Sequence, residues 1–262
     1  MSFQVIKAIL LQEFYITKHS LEVIVDLFYF SVVNIVVFGF VSLYLTGSNN
    51  PQAAHFILVG MILWEIIRVT QYSISLGSLW NIWSRNLSNM FVAPLSFMEY
   101  MIAEIIAGAV KAILIVALVG AISHFVFKFD ILQLGIINLL LFFINLTIFA
   151  WSIGIIILGL IFRYGTRIQA LAWGIIFIFQ PLTAVFFPVR ILPDFMQKIA
   201  YALPPTFIFE AARANVSNTA TNWNYILISF GENIFYFILA LFFFILMFNK
   251  SKETGQFARN EG

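Results

Sequence analysis

Six apolar runs, at residues 27–45, 56–79, 101–123, 136–160, 168–187 and 225–248, each approach the ~20 residues a helix needs to cross a bilayer. Lipid offers the backbone no hydrogen-bond partner, and a helix pairs its own N–H and C=O groups internally. The runs therefore predict an all-α integral membrane protein with six transmembrane helices. Composition agrees: 62% of residues are hydrophobic and 10% charged. A soluble domain is about half apolar and about a quarter charged, so this chain could not cover a water-facing surface.

The connections between runs place the chain across the membrane. TGSNNP, at 46–51, stops the first run, and FRYGTR, at 162–167, leaves the fourth and fifth as a tight hairpin. With the N-terminus in the cytosol, the inner side carries Lys7, Lys18, Arg85, Arg163, Arg167, Lys250, Lys252 and Arg259. The outer side carries the smaller set, Lys128, Arg190, Lys198 and Arg213. Lys and Arg concentrate in cytosolic loops, so both termini, including the tail 249–262, are expected inside. No short apolar run followed by small residues marks a cleavable signal at the N-terminus. Instead residues 1–20 read as an amphipathic helix lying in the membrane interface, with Phe3, Ile6, Leu10 and Phe14 as its apolar stripe.

Residues 181–213, PLTAVFFPVRILPDFMQKIAYALPPTFIFEAAR, break the pattern. Proline ends helices, and beyond Pro181 at its start the stretch is broken by Pro188, Pro193, Pro204 and Pro205. Two short helices are expected, about 194–202 and 206–214, half-inserted on the outer side between the fifth and sixth spans. Unpaired backbone at such breaks must be shielded from lipid by protein or lie at the interface.

Charges inside the runs demand an account. Glu65 and Arg68 stand three residues apart on one face of the second run. Glu104 and Lys111 lie in the third, and Glu232 in the last. An ionised side chain at mid-helix costs about 2.5–3.5 kcal/mol on insertion scales, which the surrounding apolar residues offset. Such side chains face the bundle interior or a wet cavity. Glu65, Arg68 and Lys111 are either a polar lining for a translocation route or structural ion pairs that support it. Ala103, Ala107 and Gly108 give the third run a small-residue face for close helix packing.

The longest inner connection, 80–100, contains Arg85, Asn86, Leu87, Met90, Phe91 and Pro94. Asn86 or Ser88 could cap a short helix that Pro94 ends. Its apolar residues on a water-facing loop suggest a docking site for a soluble partner; the alternative is a segment lying against the membrane.

Several chemistries find no residues to carry them. No Gly-x4-Gly-Lys-Ser/Thr occurs, nor any Gly-Lys pair, so the chain cannot itself cradle a nucleotide in a phosphate loop. His19, His55 and His124 are scattered over three segments, and no acidic metal cluster appears. There is no cysteine and no Gly-x-Ser-x-Gly elbow. A net charge of +2 does not suggest nucleic acid.

Three segments resemble the membrane subunits of type-2 ATP-binding-cassette exporters. NLSNMFVAPLSFMEYMIAE, at 86–104, is similar to that family's coupling segment. FRYGTRIQALAW, at 162–173, is similar to its basic turn before the fifth span. Phe187, Pro188, Leu192, Pro193, Pro205, Thr206, Phe207, Glu210 and Arg213 resemble its Pro-broken outer region. The chain departs from the family where many relatives carry an acidic residue and Gly-Thr before the coupling helix; here the residues are SRNLSN.

The resemblance implies a permease, not itself an enzyme. It would be paired with a second permease subunit, in a homodimer or a heterodimer, and with two cytosolic ATPase subunits that hold ATP and Mg. Arg85 to Pro94 would dock the ATPase. Pro188, Pro193, Pro205, Glu210 and Arg213 would shape the outer gate. The substrate would be amphipathic: a hydrophobic drug, a lipid or a lipid-linked glycan. Two other readings stand beside this one: an ion-coupled secondary transporter using Glu65 and Arg68, and a non-transporting membrane scaffold.

Overall fold

The computed structural model describes residues 2–48, 50–84, 96–217 and 220–253, and no strand occurs among them. The chain runs through α1 (Phe3–His19), α2 (Leu21–Gly47), α3 (Pro51–Trp83), α4 (Phe97–Phe127), α5 (Ile136–Tyr164), α6 (Gln169–Leu182), α7 (Asp194–Ala200), α8 (Pro204–Val216) and α9 (Trp223–Glu253). Among the described residues, five helices are long and apolar enough to cross a membrane: α2, α3, α4 from Met98, α5 and α9. This is an all-α, multi-pass membrane protein.

Local chemistry sets the helix ends. Asn50 caps α3 by accepting from Ala53 N at 3.3 Å, with Pro51 in the first turn, where its missing N–H is harmless. Ser96 and Glu99 form a reciprocal capping box that starts α4 four residues before the apolar run at 101. Gly165, at φ 68°, makes the corner of the short α5–α6 hairpin.

The fifth apolar run, expected to span as 168–187, forms a helix only over Gln169–Leu182. Its 14 residues extend about 21 Å at ~1.5 Å per residue, short of a ~30 Å hydrocarbon layer. Pro181 occupies the last turn, and Ala184 follows in the left-handed region at φ 52°, which closes the helix. Pro188 then precedes a 3-10 turn, Pro193 precedes α7, and Pro204 and Pro205 open α8.

Helix α3 is the axis of the bundle, packing against α2, α4, α5, α6 and α8. Its most apolar stretch is 78% buried, against 17% for α9 at the periphery. Three of the polar residues it carries into this core hydrogen-bond back to their own helix. Ser75 donates to the Gln71 carbonyl at 3.0 Å, Ser78 to that of Ile74 at 3.1 Å and Asn81 to that of Gly77 at 3.1 Å. The small face of α4 packs here as its sequence suggests: a Cβ on Gly108 would stand 3.1 Å from that of Ser73.

Helix α2 contains a π-helical turn, Val25–Tyr29, which the sequence does not announce.

Candidate translocation site and outer loop clamp

Glu65 and Arg68 are fully buried and form an ion pair at 2.5 Å. Ser31 of α2 lies 2.7 Å from Glu65 Oε2 and accepts from Arg68 Nη2 at 2.6 Å. Arg68 Nη1 donates to the Asp26 carbonyl at 3.1 Å, inside the π-helical turn. All of these partners belong to the protein, so the pair fastens α2 to α3 across their shared face. Taking either partner away would strand a buried charge.

Lys111 reaches out of α4 to α1: its Nζ lies 2.8 Å from Glu13 Oε2 and 3.5 Å from Ser73 Oγ. From the position next to Glu13, Gln12 donates to Asn81 Oδ1 at 3.2 Å, and Tyr100 OH lies 2.9 Å from Ser78 Oγ. The interface helix is thus held by its polar residues as well as by Ile9, which packs on Tyr100 and Ala103. This corrects the expected stripe. Ile6 and Leu10 pack inward with Val5, but Phe3 and Phe14 point outward, 78% and 60% exposed. A docked helix needs one face for the bundle and another for the membrane interface, and the aromatics take the second. Glu13 and Gln12 were missed because a glutamate on an amphipathic helix ordinarily reads as solvated.

Glu104 is fully buried beside Tyr100, and neither carboxylate oxygen makes a well-formed hydrogen bond among the described residues. A Cβ on Gly77 would stand 3.0 Å from its Oε2, so α3 approaches it at backbone distance.

At the other end of the bundle, Glu210 and Arg213 clamp the chain after α6. Glu210 Oε1 accepts the Val189 N–H at 2.8 Å and the Arg213 Nη2–H at 2.8 Å. Arg213 Nη1 donates to the carbonyls of Ala184 and Val185, at 2.8 and 3.3 Å. The pair thereby satisfies backbone groups on both sides of Pro188, which has no N–H of its own. Burial lowers the Arg213 pKa from its ordinary value, and the Glu210 carboxylate opposes that shift. A Cβ on Gly60 would lie 2.1 Å from the Val185 carbonyl oxygen, so only glycine lets α3 pass beneath the loop.

The start of α8 is tied down separately. Thr206 Oγ1 donates to the Ala200 carbonyl at 2.6 Å, and Ser229 Oγ to that of Pro204 at 2.8 Å. Asn145 and Asn233 are hydrogen-bonded to each other beside Ser229, joining α5 to α9. Pro188, Arg190, Tyr201, Glu210 and Arg213 line an open basin of ≈510 Å³. Of the outer-gate residues named from sequence, Pro188, Glu210 and Arg213 share this basin, whereas Pro193 and Pro205 stand apart from its lining, at the starts of α7 and α8. Arg85, Asn86, Leu87, Met90, Phe91 and Pro94 lie outside the described residues.

These observations define a multi-pass helical membrane protein of the permease class, with buried ion pairs stapling its spans and a Pro-broken loop clamped at one end. The chain belongs to the ABC-2 type transporter family, whose sequence model matches residues 4–217. It is a membrane component of an ABC transporter, the class that works with a separate ABC ATPase subunit. No curated protein matches the chain.

Proposed function

We propose that this chain is the membrane-spanning half of an ATP-driven exporter. A homodimer of the chain would move an amphipathic substrate, whether hydrophobic drug, lipid or lipid-linked glycan, using two cytosolic ATPase subunits that hold ATP and Mg. Membership of the ABC-2 family over residues 4–217, joined to a sequence with no phosphate loop, carries this reading.

The ATPase docks on residues 85–94, between the end of α3 and the capping box that opens α4. Both termini and this segment face the cytosol, and the clamped loop with α7 and α8 faces outward as the gate. Glu65, Arg68 and Lys111 act as supports rather than as a wet lining, because each is engaged in an ion pair, Glu65 with Arg68 on α3 and Lys111 with Glu13 of α1. The same engagement weighs against proton coupling through Glu65.

Reconstitution with a phosphate-loop ATPase partner tests the proposal. Substrate export that needs both ATP and the partner is expected. Export by the chain alone on an ion gradient would overturn it.

A further inference from the structure

Where α2 begins and α3 ends, three tryptophans and two carboxylates converge on one cavity of ≈390 Å³. Trp80 and Trp83 stand three residues apart in the last turns of α3, their ring centroids 5.0 Å apart and their planes at 87°, so they form a corner. Trp173 of α6 is the third wall. It is held in place from α3, where Tyr72 donates to its carbonyl at 2.9 Å and packs edge-on at 5.8 Å. Glu22 and Asp26 lie four residues apart on α2, on one face, and close the cage.

The electrostatics favour a cation. Of the nearby basic side chains, Arg68 pairs with Glu65 and meets Asp26 at its backbone carbonyl, while Lys111 pairs with Glu13. Among the described residues, no ion pair involves the carboxylate of Glu22 or Asp26. Tryptophans near the end of a span commonly serve as interface anchors. Anchors do not require convergence, whereas these three come from two helices and face one cavity with two acids. Aromatic walls with negative charge attract ammonium groups by cation–π and Coulomb forces together. Leu21 and Val25, both outward-facing, border the same cavity and would receive an apolar tail.

We propose that this cage binds the ammonium head of an amphipathic organic cation. In the orientation set out above it opens on the cytosolic leaflet, so the inference rests on the exporter reading and narrows its substrate class: the cage is where the cation is first held. The head could belong to a bilayer lipid or to a free amphiphile, and the chemistry is the same.

The test uses the full chain in phosphatidylglycerol nanodiscs, without ATP or ATPase, titrated calorimetrically with dodecyltrimethylammonium. Saturable binding is expected. Asp26→Asn and Trp173→Leu should each weaken it tenfold or more, and Glu22→Gln, an exposed change that leaves the fold intact, several-fold. Trp223→Leu, at the far end of the bundle, should leave it unchanged. Repeating the titration in phosphatidylcholine assigns the source: a weakened isotherm means that the lipid head occupies the cage, and an unchanged one assigns it to the free cation. Equal affinity in the wild type, Glu22→Gln and Asp26→Asn would overturn the proposal. Binding without any ATP-driven export would leave the cage standing and remove the exporter reading instead.

Discussion

Lys111 Nζ lies 2.8 Å from Glu13 Oε2, an ion pair between a membrane span and a helix that does not span. It makes the position of α1 depend on the bundle rather than on the membrane alone. Breaking it from one side, as Lys111→Met or Glu13→Gln, leaves a mostly buried charge and should destabilise by about 3 kcal/mol. The double variant should recover much of that loss. Thermal unfolding of the four proteins in one detergent measures the coupling, and additive losses would mean that the two side chains do not interact.

The Glu65–Arg68 pair should behave more severely, because neither side chain touches solvent. Arg68→Lys keeps the charge but loses the fork that reaches Ser31, Glu65 and the Asp26 carbonyl together. A loss of about 3 kcal/mol is expected, with hydrogen exchange rising at the α2–α3 contact.

In the loop clamp, Glu210→Ala removes the acceptor for Val189 N and the partner of Arg213 at once. Amide exchange at Val189 should accelerate, and the loop 183–189 should become protease-sensitive while the spans stay protected.

Gly60→Ala places a methyl 2.1 Å from the Val185 carbonyl oxygen, a backbone atom that cannot rotate away. Over-packing of this kind costs about 1–3 kcal/mol. Gly174→Ala, with nothing within 4 Å, should cost nothing and serves as the control in the same melting experiment.

Glu104→Gln should leave stability unchanged or raise it. The carboxylate is buried without a well-formed hydrogen bond, and a neutral amide is the cheaper group to bury. A fall in melting temperature comparable with that of the Lys111 variants would show that Glu104 is engaged after all.

Apolar run length and proline placement made the spans and the two outer helices legible, because both act locally along the chain. Glu210 and Arg213 came from the family resemblance alone, which marks the pair as part of the outer gate. The pair's targets, the carbonyls of Ala184 and Val185, depend on how the loop folds back and leave no mark in sequence. Glu13 escaped for a related reason: its partner is distant in sequence, and periodicity ranks a residue by its neighbours alone. The end of α6 at Leu182 was misjudged because hydropathy runs on past it through Val185, Phe186 and Phe187, whereas the helical bonds end with Thr183 N–H on Phe179 O and Ala184 then turns left-handed.

The π-helical turn at Val25–Tyr29 stores one surplus residue within α2. Deleting a single position there would restore uniform winding and turn everything upstream through about 100° around the span axis, since each residue of an α-helix advances by that angle. Glu22 would swing out from beneath the tryptophans, and α1 would be dragged off its lysine. One extra amino acid thus sets the azimuth at which the whole N-terminal arm meets the bundle.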